Sequence, residues 1–266
     1  MRLLQLGCGN MGGAMLAGWL AGGMPATSFT VVDPQLAAAP DGVRLLRSAP
    51  ADEAPFDMLL LGFKPQQFAA IAPGLEPLAG EGTVVLSILA GVELATLRAR
   101  FPRARGIVRV MPNLAVALGK SPIGLVGEVS AADRAAVDRL MAPLGQAEWL
   151  VDEQTMHLVT ALAGSGPAFV YRVIDALAGG AAALGLPRDQ ADRLALAMVE
   201  GAAALAAASE HSPGNLADRV ASPGGTTRAG MNVLDAEDRL LALMTDTLRA
   251  AHDRSVEMSE EARTAG

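Results

Sequence analysis

A glycine-rich turn, Leu6-Gly7-Cys8-Gly9-Asn10-Met11-Gly12, stands between a short apolar run that starts the chain and a helix-forming stretch that follows. A G-x-G-x-x-G spacing is weak alone, but the step from strand to turn to helix is the context in which such glycines cradle a pyrophosphate. Gly7 allows the tight turn, Gly9 lets backbone approach the anion, and Gly12 lets helix and strand pack closely, with the helix N-terminus favouring negative charge. The longer stretch from Leu3 to Leu20 reads poorly as a signal peptide, because five glycines and Asn10 interrupt its apolar character. A purely structural glycine turn is the alternative.

Short apolar runs alternate with helix-like segments as far as Val151, the pattern of repeated βαβ units around a mainly parallel, doubly wound sheet. Strands are expected at 2–6, 29–32, 43–46, 58–63, 84–88, 107–111, 123–126 and 148–151, several of them continuous Val/Leu/Ile runs as in strands covered on both faces. Helices are expected at 11–21, 66–75, 93–100 and 131–142. After Asp152 the strand-like runs stop and alanine-rich stretches take over, notably 169–184 and 188–209, with a last helix at about 236–257. Pro167 and Pro187 suit first helical turns and Gly185 a helix end. The expected organisation is a dinucleotide-binding Rossmann domain at 1–151 and an all-helical domain at 152–266. Apolar residues surround so much of these helices that the second half is expected to pack against another copy, giving a homodimer or larger assembly.

A net charge of -7 argues against a nucleic-acid partner. Apolar runs broken by glycine and charge argue against a membrane span, and the single cysteine, Cys8, agrees with a reducing, cytoplasmic setting. His157, His211 and His252 lack metal-ligand spacing, so no metal is expected.

The second strand ends in Val31-Val32-Asp33, 21 positions after Gly12, where a Rossmann fold holds the adenosine ribose. Asp33 is expected to accept from ribose hydroxyls and to repel a 2′-phosphate. No Arg or Lys lies among the next several residues, so the local reading favours NADH. An aspartate capping its own turn before Pro34 is the alternative. Gly62-Phe63-Lys64-Pro65 and Met111-Pro112-Asn113 also close strands on the binding crevice; Lys64 is expected to meet the cofactor or a substrate carboxylate, and Asn113 to orient a ribose or nicotinamide amide. In the helical half, Gly164-Ser165-Gly166-Pro167-Ala168 and Ala221-Ser222-Pro223-Gly224-Gly225-Thr226-Thr227 are too rich in Gly and Pro for helix interiors. The backbone N–H groups around Gly224 and Gly225, the hydroxyls of Ser222, Thr226 and Thr227, and the helix start that follows make a cradle for a small carboxylate. An ordinary helix–helix turn is the alternative there.

With these segments in this order and spacing, the chain resembles the pyrroline-5-carboxylate reductase family along essentially its whole length. The resemblance implies reduction of the cyclic imine 1-pyrroline-5-carboxylate to L-proline, the last step of proline biosynthesis, with NADPH or NADH as cofactor. It also implies oligomerisation through the C-terminal helices, with each active site between the nucleotide domain of one subunit and the helical domain of its partner. By it, Gly7, Gly9, Asn10, Met11, Gly12, Asp33, Phe63, Lys64, Pro65 and Asn113 hold the cofactor. Ser222, Gly224, Gly225, Thr226 and Thr227 hold the substrate carboxylate, with Thr227 near the imine nitrogen as the candidate catalytic residue. Two features depart from the family. Leu114-Ala115 stand where Thr-Pro is usual, and Asp33 stands where many relatives that prefer NADPH carry a small polar residue. Other readings of the residues are a different imine or hydroxyacid reductase, for which the helical half lacks the usual lysine, and a dinucleotide-binding protein without turnover.

Overall fold

The computed structural model describes residues 1–50 and 55–264. The strands are β1 (Leu3–Leu6), β2 (Phe29–Val32), β3 (Arg44–Leu46), β4 (Met58–Leu61), β5 (Val84–Ser87), β6 (Gly106–Met111), β7 (Ser121–Glu128) and β8 (Gly145–Trp149). They form one sheet in the order β3-β2-β1-β4-β5-β6-β7-β8. Neighbours run parallel from β3 to β6; β7 pairs antiparallel with β6 and carries β8 parallel beside it. The first six strands thus follow the Rossmann order. All eight coincide with the expected apolar runs, with ends displaced by at most three residues.

Alternate residues of these strands serve two cores. On one face Leu3, Met58, Leu60, Val84 and Leu86 pack with Met15, Leu16 and Trp19 of α1 (Asn10–Ala21). On the other, Leu4, Leu6, Leu59, Leu61 and Val85 pack with Phe68, Leu75 and Leu78 of the segment after β4 and with Leu97 of α3 (Leu94–Arg100). Both faces are therefore covered, which is why the strands need no polar alternation. Trp19 is fully buried, stacks on Phe29 with ring centroids 5.3 Å apart, and donates its indole N–H to the Leu140 carbonyl at 2.7 Å. That bond ties α1 to α4 (Ala131–Met141), which packs on the same face through Val137, Leu140 and Met141.

The helix expected at 66–75 forms only as the single turn α2 (Phe68–Ile71), between 3-10 segments at Pro65–Gln67 and Ala72–Leu78. Pro73 and Pro77 lack the N–H that an α-helix needs and crowd the preceding turn, so the chain takes the tighter form. Past β8, α5 (Thr155–Val159) runs into a π-helical turn, Thr160–Gly164, closed by the Ser165 N–H to Thr160 carbonyl bond of 2.9 Å. Then come α6 (Gly166–Ala183), α7 (Arg188–Ala208), α8 (Pro213–Val220), α9 (Thr226–Asp235) and α10 (Arg239–Thr264).

Compact packing divides the chain differently from composition. One unit is Met1–Ser165 with the chain from Ala250 onward; the other is Gly166–Arg249. The composition change at Asp152 marks where strands end, whereas α5 and its π-turn still pack with β6 and β7. In the second unit α6 and α7 form a hairpin around Ala178, Ala191 and Ala195, turning at Gly185 with φ 107°. This cluster is small, and Val170, Tyr171, Leu177, Leu194, Leu196, Leu205, Leu241 and Leu243 of its helices stand exposed.

In the first unit a polar bracket holds the helix ends. Arg109, buried on β6, pairs with Glu153 at 2.6 Å, and the same carboxylate oxygen accepts the N–H of Leu94 at 2.8 Å, capping α3 from 59 residues away. Beside it His157 is 6% exposed, its Nδ1 is 3.0 Å from the Ser255 hydroxyl of α10, and its ring meets that of His252 edge-on. Burial first, then the charges of Arg109 and His252, push the His157 pKa below the ordinary imidazole value, against the opposing pull of Glu93 and Glu153. With the folded value depressed, the unfolded chain takes up the proton first, so stability falls as pH drops below about 6.5 until the folded pKa is reached. At fixed protein concentration the thermal midpoint should fall between pH 7.5 and 5.5, and fall less in His157→Gln. An identical pH dependence in both proteins would assign the effect to another group.

Candidate active site

The C-terminal ends of β3, β2, β1 and β4 lie side by side, and residues picked from sequence stand at the last three of them. At β1 the chain turns through Gly7, whose φ is 90°. A Cβ there would stand 2.8 Å from the backbone of Gly62, just beyond β4. Gly12, in the first turn of α1, approaches the Gly7 carbonyl so closely that a Cβ would lie 2.6 Å from that oxygen. Gly9 has no neighbour within 4 Å of its Cβ position; it is the N-cap of α1 with no side-chain cap, and no acidic residue follows in the first turn. Asn10 and Met11 begin the helix. The turn is thus clamped on its inner side and open on its outer side, with uncapped helix N–H groups facing outward, a shape and polarity that fit a dinucleotide pyrophosphate.

One residue that the sequence reading missed supports this turn. Gln5 is fully buried on β1 and its Nε2 donates to the Gly7 carbonyl at 3.0 Å, while its Oε1 has no partner among the described residues. The Cys8 thiol has its pKa pushed up by burial and by the Asp33 carboxylate, against a side-chain hydrogen bond with Gln5.

Asp33 caps its own turn, the alternative weighed for it, and braces the glycine turn as well. Its Oδ1 accepts the N–H groups of Gln35 at 2.8 Å and Leu36 at 3.1 Å, capping its own turn, and its Oδ2 accepts the Cys8 N–H at 2.8 Å, closing the glycine turn. Burial alone would raise its pKa, but these three N–H donors and the charge of Arg47 outweigh it and hold the carboxyl below the ordinary carboxylate value. The cation absent from the residues after Asp33 arrives through the sheet, from beyond β3.

Beyond β4, Phe63 is half-buried against the second core, Lys64 is exposed, and Pro65 opens the 3-10 turn. Asn113 differs from expectation. It is 6% exposed; its Oδ1 accepts the Ala115 N–H at 2.9 Å and its Nδ2 donates to the Ala163 carbonyl at 2.9 Å. One donor and one acceptor of the amide expected to orient a cofactor are used in joining the loop after β6 to the π-turn. Leu114 opens the 3-10 segment Leu114–Leu118 and is exposed.

In the second unit α8 ends at Val220, Ala221 is buried, and Ser222-Pro223-Gly224-Gly225 lead into α9. Gly224 has φ 72° and the Gly225 N–H bonds the Ser222 carbonyl at 3.0 Å. Gly225 is the N-cap of α9 without a side-chain cap, and Thr226 and Thr227 occupy the first turn, exposed and without an acidic neighbour in that turn. Arg228, also missed from sequence, ties this turn to α8 by a 2.8 Å bond to Asp218. The alternation of charges within a short Arg/Asp-containing segment gave no sign of that pairing.

The Rossmann strand order and the outward-facing glycine turn, joined to an α-helical unit, define a dinucleotide-dependent oxidoreductase class. The family model for pyrroline-5-carboxylate reductase dimerisation matches residues 153–258. The chain is 36% identical to a pyrroline-5-carboxylate reductase of Pseudomonas aeruginosa over 98% of its own length and 97% of the relative's. It superposes on the structure of a pyrroline-5-carboxylate reductase from Coxiella burnetii with a TM-score of 0.89 at 28% identity, covering 97% and 98% of the two chains. A pyrroline carboxylate reductase of Plasmodium falciparum with NADP bound shares the fold, with a TM-score of 0.80 at 23% identity. This chain belongs to the pyrroline-5-carboxylate reductase family.

Replacing Gly12 by Ala forces a Cβ into the Gly7 carbonyl and must part α1 from β1. Dinucleotide affinity of Gly12→Ala should fall by about tenfold or more, near 1.4 kcal/mol, with an unchanged circular dichroism spectrum; titration of intrinsic fluorescence with dinucleotide reads this directly.

Proposed function

We propose that the protein reduces 1-pyrroline-5-carboxylate to L-proline with NAD(P)H, as a homo-oligomer joined through its C-terminal helices. One observation carries the reading beyond family membership: α9 begins at an uncapped Gly225 with hydroxyls from Ser222, Thr226 and Thr227 around its free N–H groups, which suits a small carboxylate. The oligomer is supported by the exposed apolar side chains of the second unit, which its own small alanine cluster does not cover.

When bound, the reduced nicotinamide supplies a hydride to the imine carbon. The chain's part is positional. The glycine turn and Asp33 hold the dinucleotide, and the α9 N-terminus fixes the substrate through its carboxylate; a protonated imine is already electrophilic, so orientation supplies much of the rate. Thr227 hydrogen-bonds at the ring nitrogen and steadies it as the C=N bond becomes an amine. Its hydroxyl is too weak an acid to be the proton source by itself, so the imine arrives protonated or draws the proton from water. Gly7, Gly9, Asn10, Met11, Gly12, Phe63, Lys64 and Pro65 form the cofactor wall, and Asn113 acts behind it as a brace. Proline biosynthesis in the cytoplasm is the setting this reading implies.

Purified protein with 1-pyrroline-5-carboxylate should consume NADH or NADPH absorbance at 340 nm and yield L-proline. Dinucleotide binding without turnover would reject the substrate assignment. Thr227→Ala, losing a hydrogen bond at a charged centre, should lower kcat by roughly tenfold to a hundredfold while dinucleotide affinity stays within about twofold. Loss of dinucleotide binding instead would place Thr227 wrongly.

A further inference from the structure

The adenosine end of the crevice holds a cation that no motif marks. Arg47 follows directly after β3, 14 residues beyond Asp33, and the pairing of β3 with β2 brings it over the Asp33 loop. Its Nη1 donates to the carbonyls of Asp33 at 3.1 Å, Pro34 at 3.4 Å and Leu36 at 2.5 Å. All of its hydrogen bonds to the described residues use that one nitrogen; Nη2 and Nε bond nothing among them, and the side chain is exposed. The guanidinium is therefore anchored at one corner with its other N–H edges open, the geometry suited to bidentate recognition of a phosphate.

Asp33, by contrast, is largely engaged. A carboxylate offers about four acceptor directions, and three are taken by the N–H groups of Cys8, Gln35 and Leu36. One direction remains for a ribose hydroxyl. Taken alone this carboxylate would repel a 2′-phosphate, the reason the sequence favoured NADH. With Arg47 anchored on the same loop, a cation stands near that carboxylate and offsets its charge.

We propose that Asp33 and Arg47 form a two-way reader of the adenosine 2′ position: the free acceptor of Asp33 takes the ribose hydroxyl of NADH, and the open edge of Arg47 takes the 2′-phosphate of NADPH. The protein then binds both dinucleotides, and Arg47 is the residue that admits the phosphorylated one. This rests on the glycine turn being the dinucleotide site, and adds to it the residue that sets its specificity.

Binding of NADH and of NADPH is measured by calorimetric titration without substrate, at two salt concentrations, for the parent protein, Arg47→Gln and Asp33→Asn. Gln at position 47 keeps a donor for the loop carbonyls but loses the charge. Arg47→Gln should weaken NADPH at least tenfold and NADH less than twofold, and the steeper salt dependence of NADPH binding in the parent should flatten. Asp33→Asn should shift the ratio the other way, toward NADPH. Equal weakening of both dinucleotides by Arg47→Gln would make Arg47 a loop prop and overturn the proposal, as would no change in either. If the parent binds neither dinucleotide, the glycine-turn reading itself fails; if it binds NADH alone, that reading stands and the two-way reader falls.

Discussion

Where β1 and β4 end, two stretches of backbone pass each other with nothing between them. Gly7 turns at φ 90° against Gly62, and Gly12 sets the start of α1 on the Gly7 carbonyl. No side chain fits in that stack, so the sequence there is fixed by volume before any ligand is considered. The buried Gln5 amide and the Asp33 carboxylate then hold the turn from below and from the β2 side. A surface that meets a pyrophosphate with bare backbone depends on such support from behind, because helix N–H groups attract an anion only if they stay uncapped and fixed in place.

The helical half solves the opposite problem. Its interior contacts are made by alanines that let α6 and α7 approach closely, and its larger apolar side chains point away from that contact into the open. Local propensity makes the helices, and in the proposed homo-oligomer a second copy gives them a core. Marginal helices of this kind gain most of their stability from tertiary and quaternary burial.

Much of this was legible in the amino-acid order. The strands stood out because a sheet covered on both faces needs unbroken apolar runs, and Gly7, Gly12, Pro167 and Gly185 are residue types with few other reasons to stand where they do. The helix drawn through 66–75 failed because apolar spacing outvoted Pro73 and Pro77. The short helices α5 and α8 were passed over because Gly and Pro around them read as loop, although Pro213 stands at a helix start, whereas the start of α9 after Gly225 was legible. Asn113 shows a further limit: a side chain with a donor and an acceptor looks ready for a ligand until the fold brings Ala115 and Ala163 to it. Arg47, Gln5, and the pairing of His157 with His252 across α5 and α10 lay outside any local window, since only strand order and chain return bring them into place.

That return carries a consequence for how the molecule is made. The first unit is discontinuous: its sheet is complete by Trp149, but α10 re-enters it from Ala250, where Ser259 is buried and the Met258 carbonyl reaches within 3.0 Å of the Cβ position of Gly91. Some 85 residues separate Ser165 from Ala250. At ribosomal rates of roughly 5–20 residues per second, the nucleotide-binding half waits about 4–17 s with one flank bare while the alanine-rich helices emerge. A nascent chain therefore cannot finish its first unit before the second has emerged, and the arrival of α10, rather than completion of the sheet, is the event that closes the fold.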